Sequence, residues 1–91
     1  MPVKVNLFHP ALQEYINYPK EVTVRGTTVG ECLNDFIRQY PGAEKWLLDE
    51  KGRLLEPVFV FLNFESGHKA ELTAPVRESD EMIIVMALIG G

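Results

Sequence analysis

Residues Thr28–Gly42, TVGECLNDFIRQYPG, decide how this chain folds. Thr28 and Glu31 stand three apart, the spacing of a capping box, in which the threonine oxygen accepts from one free backbone N–H and the glutamate covers another. Val29, Leu33, Phe36, Ile37 and Tyr40 then fall on one stripe of a 3.6-residue period, and Pro41-Gly42 closes the run. The spacing predicts a helix. Gly30 in its first turn costs up to about 1 kcal/mol against alanine, which the stripe outweighs.

The segments on either side carry a different period. Val3, Val5 and Leu7 alternate with Lys4 and Asn6, and Glu21–Arg25 alternates again before Gly26. Period two marks half-buried strands, here 2–8 and 21–25. His9–Pro19 between them is ambiguous. Beyond the helix, one short helical turn around Trp46-Leu47-Leu48 and a turn over Asp49–Gly52 are expected. Val58–Leu62 (VFVFL) is a continuous apolar run behind Pro57, rich in β-branched and aromatic residues, and reads as a third strand. Lys69–Thr73 is expected as a short edge strand, and 81–89 as the final strand. The fold class is α+β: a mixed sheet of four to five strands with one main helix on one face.

One helix covers only one face of a sheet. The strands over 58–62 and 81–89 are apolar on both parities, so some of their side chains must lie on the face the helix leaves open. A contiguous apolar patch there marks a docking surface. Phe59 and Phe61 are the expected partner-binding residues of that face.

Size and composition exclude much else. Ninety-one residues make one domain, with 46% hydrophobic and 24% charged residues. The basic residues are scattered and the net charge is −4, which opposes a nucleic-acid partner. No apolar run reaches a membrane span, and the start lacks the basic-then-apolar form of a signal peptide, so no membrane and a cytoplasmic location are expected. A lone Cys32 makes neither an internal disulfide nor a cysteine metal site, and no metal is expected. His9 and His68 lack ligands at metal spacing and are expected at the surface. Trp46 is expected in packing. Asp80 and Glu81 are adjacent, so on a strand they point to opposite faces, and no catalytic carboxylate pair is assigned.

The sequence ends in Gly90-Gly91 directly behind the apolar run 82–89. Two residues without Cβ make a thin tail that enters a slot too narrow for other residues. A flexible tail over 87–91 is therefore expected, with the chemistry at its terminal carboxylate.

Several further stretches now align in order: the β-β-α-β sequence of elements, Tyr40-Pro41-Gly42, Leu47-Leu48-Asp49 with Gly52-Arg53-Leu54, Phe59-Val60-Phe61-Leu62-Asn63, Thr73-Ala74-Pro75-Val76, Ser79-Asp80-Glu81 and Gly90-Gly91. Together they resemble the ubiquitin-like sulfur carriers of the MoaD/ThiS family over nearly the whole chain. The resemblance implies a β-grasp fold, with Gly91 adenylated by an ATP-dependent, ubiquitin-activating-type enzyme and converted to a thiocarboxylate that donates sulfur to a synthase subunit. Gly90, Ile89 and Leu88 then form the partner-binding tail. The implied role is that of a protein co-substrate, not an enzyme. No cofactor is expected on the chain itself, since its glycines match neither P-loop nor dinucleotide spacing, and ATP belongs to the partner.

The molybdopterin type is favoured on architecture. The alternatives are carriers for cysteine, thiamine or siderophore biosynthesis, and the 40–63 segment is similar to the longer cysteine-type carriers and to archaeal forms that modify proteins. A ubiquitin-like modifier and a plain protein-binding module remain as readings of another class.

Overall fold

A computed structural model describes residues 2–64 and 67–87. Four strands, β1 (Val3–Phe8), β2 (Val22–Val24), β3 (Val58–Leu62) and β4 (Glu81–Met86), form one sheet in the order β2-β1-β4-β3. The central pair, β1 and β4, is parallel, and both outer pairs are antiparallel. Helix α2 (Val29–Gln39) lies on one face. This is the expected β-grasp: a mixed sheet clasping one long helix.

Alternation in the strands builds the core. Val3, Val5, Val22, Val24, Val58, Val60, Met82 and Ile84 are buried in one cluster with Val29, Leu33 and Phe36 of α2. Each fully buried side chain of this size contributes about 1.5–3 kcal/mol. Of the predicted stripe, Val29, Leu33 and Phe36 are buried, while Ile37 and Tyr40 pack against the cluster from its edge.

The first turn of α2 shows where the expected edge strand went. Thr28 Oγ1 accepts from Glu31 N (3.1 Å), but Glu31 reaches back to Thr27, accepting from its N–H at 2.7 Å and its hydroxyl at 2.8 Å, rather than to the cap residue itself. The two remaining free donors, Val29 N and Gly30 N, donate to the carbonyls of Ala74 (3.0 Å) and Leu72 (2.8 Å). Residues 69–73 are therefore not a strand beside β3. A single backbone bond, Ala70 N to Val60 O (2.6 Å), joins them to it, and they then cross to satisfy the helix N-terminus. Gly30 permits that crossing, since a Cβ there would stand 3.2 Å from the Leu72 carbonyl oxygen.

The ambiguous His9–Pro19 stretch contains a helix, α1 (Pro10–Tyr15), with Leu12 buried. Its N-cap is His9, whose Nδ1 accepts from Leu12 N (3.1 Å) while Nε2 lies 3.3 Å from the Trp46 carbonyl oxygen. His9 is thus 1% exposed, correcting the surface placement expected of it. An imidazole with both nitrogens engaged can be buried where an unpartnered one cannot. Asn17 and Tyr18, at φ 65° and 48°, turn the chain out of α1. The expected turn near Trp46 is a 3-10 turn over Pro41–Ala43 running into α3 (Glu44–Leu47), and Trp46 packs against the core edge as expected. The final strand ends at Met86, and positions 88 and 89 of its expected range lie outside the described residues.

Candidate functional site

The face opposite α2 is built by the other parity of the strands. Register places Thr23, Lys4 and Glu81 in one row across β2, β1 and β4. Asn6, Ile83 and Phe61 make the next row, and Phe8, Val85 and Phe59 the third. The open face therefore grades from polar to apolar along β4. Asn6 Nδ2 donates to Glu81 Oε2 at 2.7 Å, which ties the polar end together. At the apolar end the Lys69 ammonium stands 5.5 Å from the Phe59 ring centre.

Phe59 and Phe61 lie on this face as the sequence predicts, each half-buried. Two further residues join them. Phe8 is 53% exposed and Phe64 63% exposed, and their rings meet edge to face with centroids 6.2 Å apart. Phe64 follows Asn63, whose φ of 68° turns the chain back toward the sheet. A hollow of about 230 Å³ lies between Phe61, Asn63, Phe64 and Ile83, with Ile83 itself 4% exposed at its floor. Phe8 was legible in principle, because it shares the parity of Lys4 and Asn6 rather than that of the core valines. Phe64 had no periodic signal, since its place depends on the left-handed turn at Asn63.

That turn is clamped. Asn63 N donates to Glu81 O (2.7 Å), Asn63 Oδ1 accepts from Glu81 N (3.0 Å), and Asn63 Nδ2 donates to Asp80 Oδ1 (3.0 Å). Asp80 also accepts from Arg77 N at 2.8 Å. The Asn63 amide, then the Arg77 N–H, hold the Asp80 carboxyl below its ordinary pKa. Asp80 and Glu81 are thus engaged in holding β3, β4 and β1 together, and their oxygens point at amides rather than at each other.

Strand β4 ends next to the apolar row. Ala87 N donates to the Pro57 carbonyl at 2.8 Å, one residue beyond the Val58–Met86 pair. Gly91, Gly90, Ile89 and Leu88, named from the sequence as the reactive and partner-binding tail, lie outside the described residues. Other candidate chemistry is absent from the described surface. Cys32 is fully buried, and burial, followed by the charges of Glu31 and Asp35, pushes its thiol pKa up, the opposite of an activated nucleophile. No cluster of three or more metal-ligating residues occurs among the described residues. No described helix is long and apolar enough to cross a membrane.

A mixed sheet gripping one long helix, with an aromatic open face beside the end of β4, defines a ubiquitin-like β-grasp protein. No family model matches the sequence, and no curated protein matches it. Solved structures do. The chain is similar to CysO of Amycolatopsis orientalis, solved as a BexX/CysO complex, with 29% identity, a TM-score of 0.79, and 98% of this chain and 99% of that one covered. It is similar to small archaeal modifier protein 1 of Methanosarcina acetivorans, with 27% identity, a TM-score of 0.77, and 99% and 96% covered. The same modifier from Haloferax volcanii shares the fold over the full length of both chains, with a TM-score of 0.83 and 24% identity. The resemblance read from the sequence, to ubiquitin-like sulfur carriers of MoaD/ThiS type, holds in these structures.

Proposed function

We propose that this chain is a sulfur carrier whose Gly91 carboxylate is activated and thiolated by a partner that docks on the open sheet face. The observation that carries the reading is spatial: Val85 of the Phe8–Val85–Phe59 row lies two residues before Ala87 in the chain, so docking there brings the partner to the start of the tail. Leu88, Ile89 and Gly90 then line the partner's channel, and the ATP site belongs to an adenylating enzyme of the ubiquitin-activating type. The carrier acts as co-substrate, in the cytoplasm, as one domain with a tail over 87–91.

A carboxylate is a poor electrophile until its oxygen becomes part of a better leaving group. A Gly91 carboxylate oxygen attacks the α-phosphorus of ATP, and pyrophosphate departs. Sulfide then attacks the carbonyl carbon, the C–O bond to AMP breaks, and a thiocarboxylate remains. With a persulfide donor the product is an acyl disulfide, whose S–S bond a second thiol cleaves to leave the same group. The thiocarboxylate sulfur is later the nucleophile toward the acceptor bound by a synthase subunit.

Architecture alone favours the molybdopterin type. Similarity to CysO, together with the long 40–63 segment, favours the cysteine-type carrier in its place as the branch to test first. Incubation with a cognate adenylating enzyme, ATP and sulfide is expected to add about 16 Da, sulfur for oxygen, confined to the peptide ending at Gly91. An unchanged mass under conditions that load an established carrier overturns the reading. Similarity to the archaeal modifiers favours a second use of the same activated terminus, in conjugation to lysines, and isopeptide-linked adducts in cell extracts are its signature.

A further inference from the structure

We propose that the outer edge of β2 is a self-complementary surface for a second copy of this chain, kept shut by Asp35 and Gln39 of α2. Strand β2 is outermost on its side of the sheet and pairs with β1 alone. In an antiparallel ladder the N–H and C=O of one residue point the same way, and successive residues point to opposite sides. The Thr23 carbonyl and the Arg25 N–H are bonded by α2, so Thr23 and Arg25 face outward while Val22 and Val24 face β1.

An outer strand with free groups of this kind is a template for another chain. Here two of those groups are taken. Gln39 Nε2 donates to Thr23 O at 2.8 Å, and Arg25 N donates to Asp35 Oδ2 at 3.0 Å. The spacings match: Asp35 and Gln39 stand one helical turn apart, about 5.4 Å, and Thr23 and Arg25 two strand residues apart, about 6.8 Å. Gln39 Nε2 also donates to Asp35 Oδ2 at 3.2 Å, and Arg38 pairs with the other Asp35 oxygen. The latch is therefore one unit on one face of α2. It leaves the Thr23 N–H and the Arg25 carbonyl turned outward.

What fits this edge follows from residues 21–25, Glu-Val-Thr-Val-Arg. Laid antiparallel on itself, the segment sets Thr23 opposite Thr23 of the second copy and Glu21 opposite Arg25 of the second copy, the latter pair occurring at both ends. These are the outward-facing positions, the ones that exchange backbone bonds across an antiparallel junction. Glu21 and Arg25 are both exposed and share the parity of Thr23, so opposite charges meet on the open-face side. A slip of two residues in either direction loses both ion pairs. The rows of Phe8, Val85 and Phe59 lie on β1, β4 and β3 and stay uncovered, so the contact is independent of docking on the open face and of the role given to Gly91.

Sedimentation velocity of the full chain, wild type against Asp35→Ala/Gln39→Ala, tests this. Alanine is the better helix former at both positions, so α2 is retained. Opening the latch removes competing bonds on both copies, and the dimer dissociation constant is expected to fall at least about 10-fold. Glu21→Arg added to the double variant sets like charges opposite each other at both ends and is expected to weaken the dimer about 3-fold or more, and Arg25→Glu added to that restores it. Should the amide spectrum show the double variant unfolded, Gln39→Glu opens the latch instead, by setting a carboxylate against the Thr23 carbonyl and Asp35, and is read in the same way. A latch variant no more dimeric than wild type overturns the proposal. So does a dimer indifferent to Glu21→Arg, or one not restored by exchanging the charges, which places the contact on another surface.

Discussion

Phe8→Ser isolates the docking face from the fold. Phe8 is 53% exposed, and an aromatic side chain presents about 200 Å² when fully open, so about 100 Å² of it is available to a partner. At 25 cal/mol per Å² the upper limit of its contribution is about 2.5 kcal/mol. Docking that covers half of that area gives about 1.3 kcal/mol, or close to 10-fold in affinity. On the folded chain alone the loss is confined to the covered part of the ring and its edge-on contact with Phe64, about 0.5–1.5 kcal/mol for an aromatic pair. The assay is steady-state loading of the carrier by its adenylating enzyme at varied carrier concentration. KM is expected to rise about 10-fold with kcat unchanged, because Phe8 contributes binding that ground and transition states share. An unchanged KM, with the variant shown folded by its amide spectrum, refutes the assignment of this face. A fall in kcat at constant KM refutes it equally, since it would place Phe8 at the chemistry rather than at the docking surface.

Other consequences concern stability. His9→Ala removes the cap of α1 and a buried ring, and is expected to cost about 2–3 kcal/mol, lowering Tm by about 10–20 °C in calorimetry, with loading of the folded protein unchanged. The carboxyls of Glu31, Asp35, Asp49 and Asp80 are held below ordinary values of 4.5 for Glu and 3.8 for Asp, chiefly by the Thr27 N–H, the Arg38 side chain, the Arg53 N–H and the Asn63 amide in that order. A depressed folded pKa gives stability that is present above the unfolded value and is lost as the pH falls through the folded one. Stability is therefore expected to drop below about pH 4.5, and Asn63→Ala, which removes the main cause at Asp80, to flatten that acid limb in a series of thermal melts. An identical acid slope in the variant would contradict the clamp.

The strands and α2 were legible because their periods are clean: valines on every second position, and an apolar stripe between Thr28 and Pro41. The open face was legible for the same reason, since Val58–Leu62 has no polar parity to give to solvent and Phe59 and Phe61 had to emerge somewhere. Helix α1 was hidden because histidine is not among the usual caps, and only tertiary bonding to the Trp46 carbonyl makes it one. Residues 69–73 carry strand-like composition, but the unsatisfied donors of α2 outbid β3 for their carbonyls, a competition that no local pattern reveals. Phe64 belongs to the same class, placed by a left-handed asparagine and a three-bond clamp formed across the sheet.

The claim that the apolar rows and the tail act as one site is tested most directly by NMR titration of the ¹⁵N-labelled chain with its adenylating enzyme and ATP. Shifts or broadening at Phe8, Phe59, Phe61, Ile83, Val85 and the 88–91 amides together, with α2 unaffected, is the predicted pattern. Perturbation centred on the exposed side of α2, with the open face silent, would contradict it.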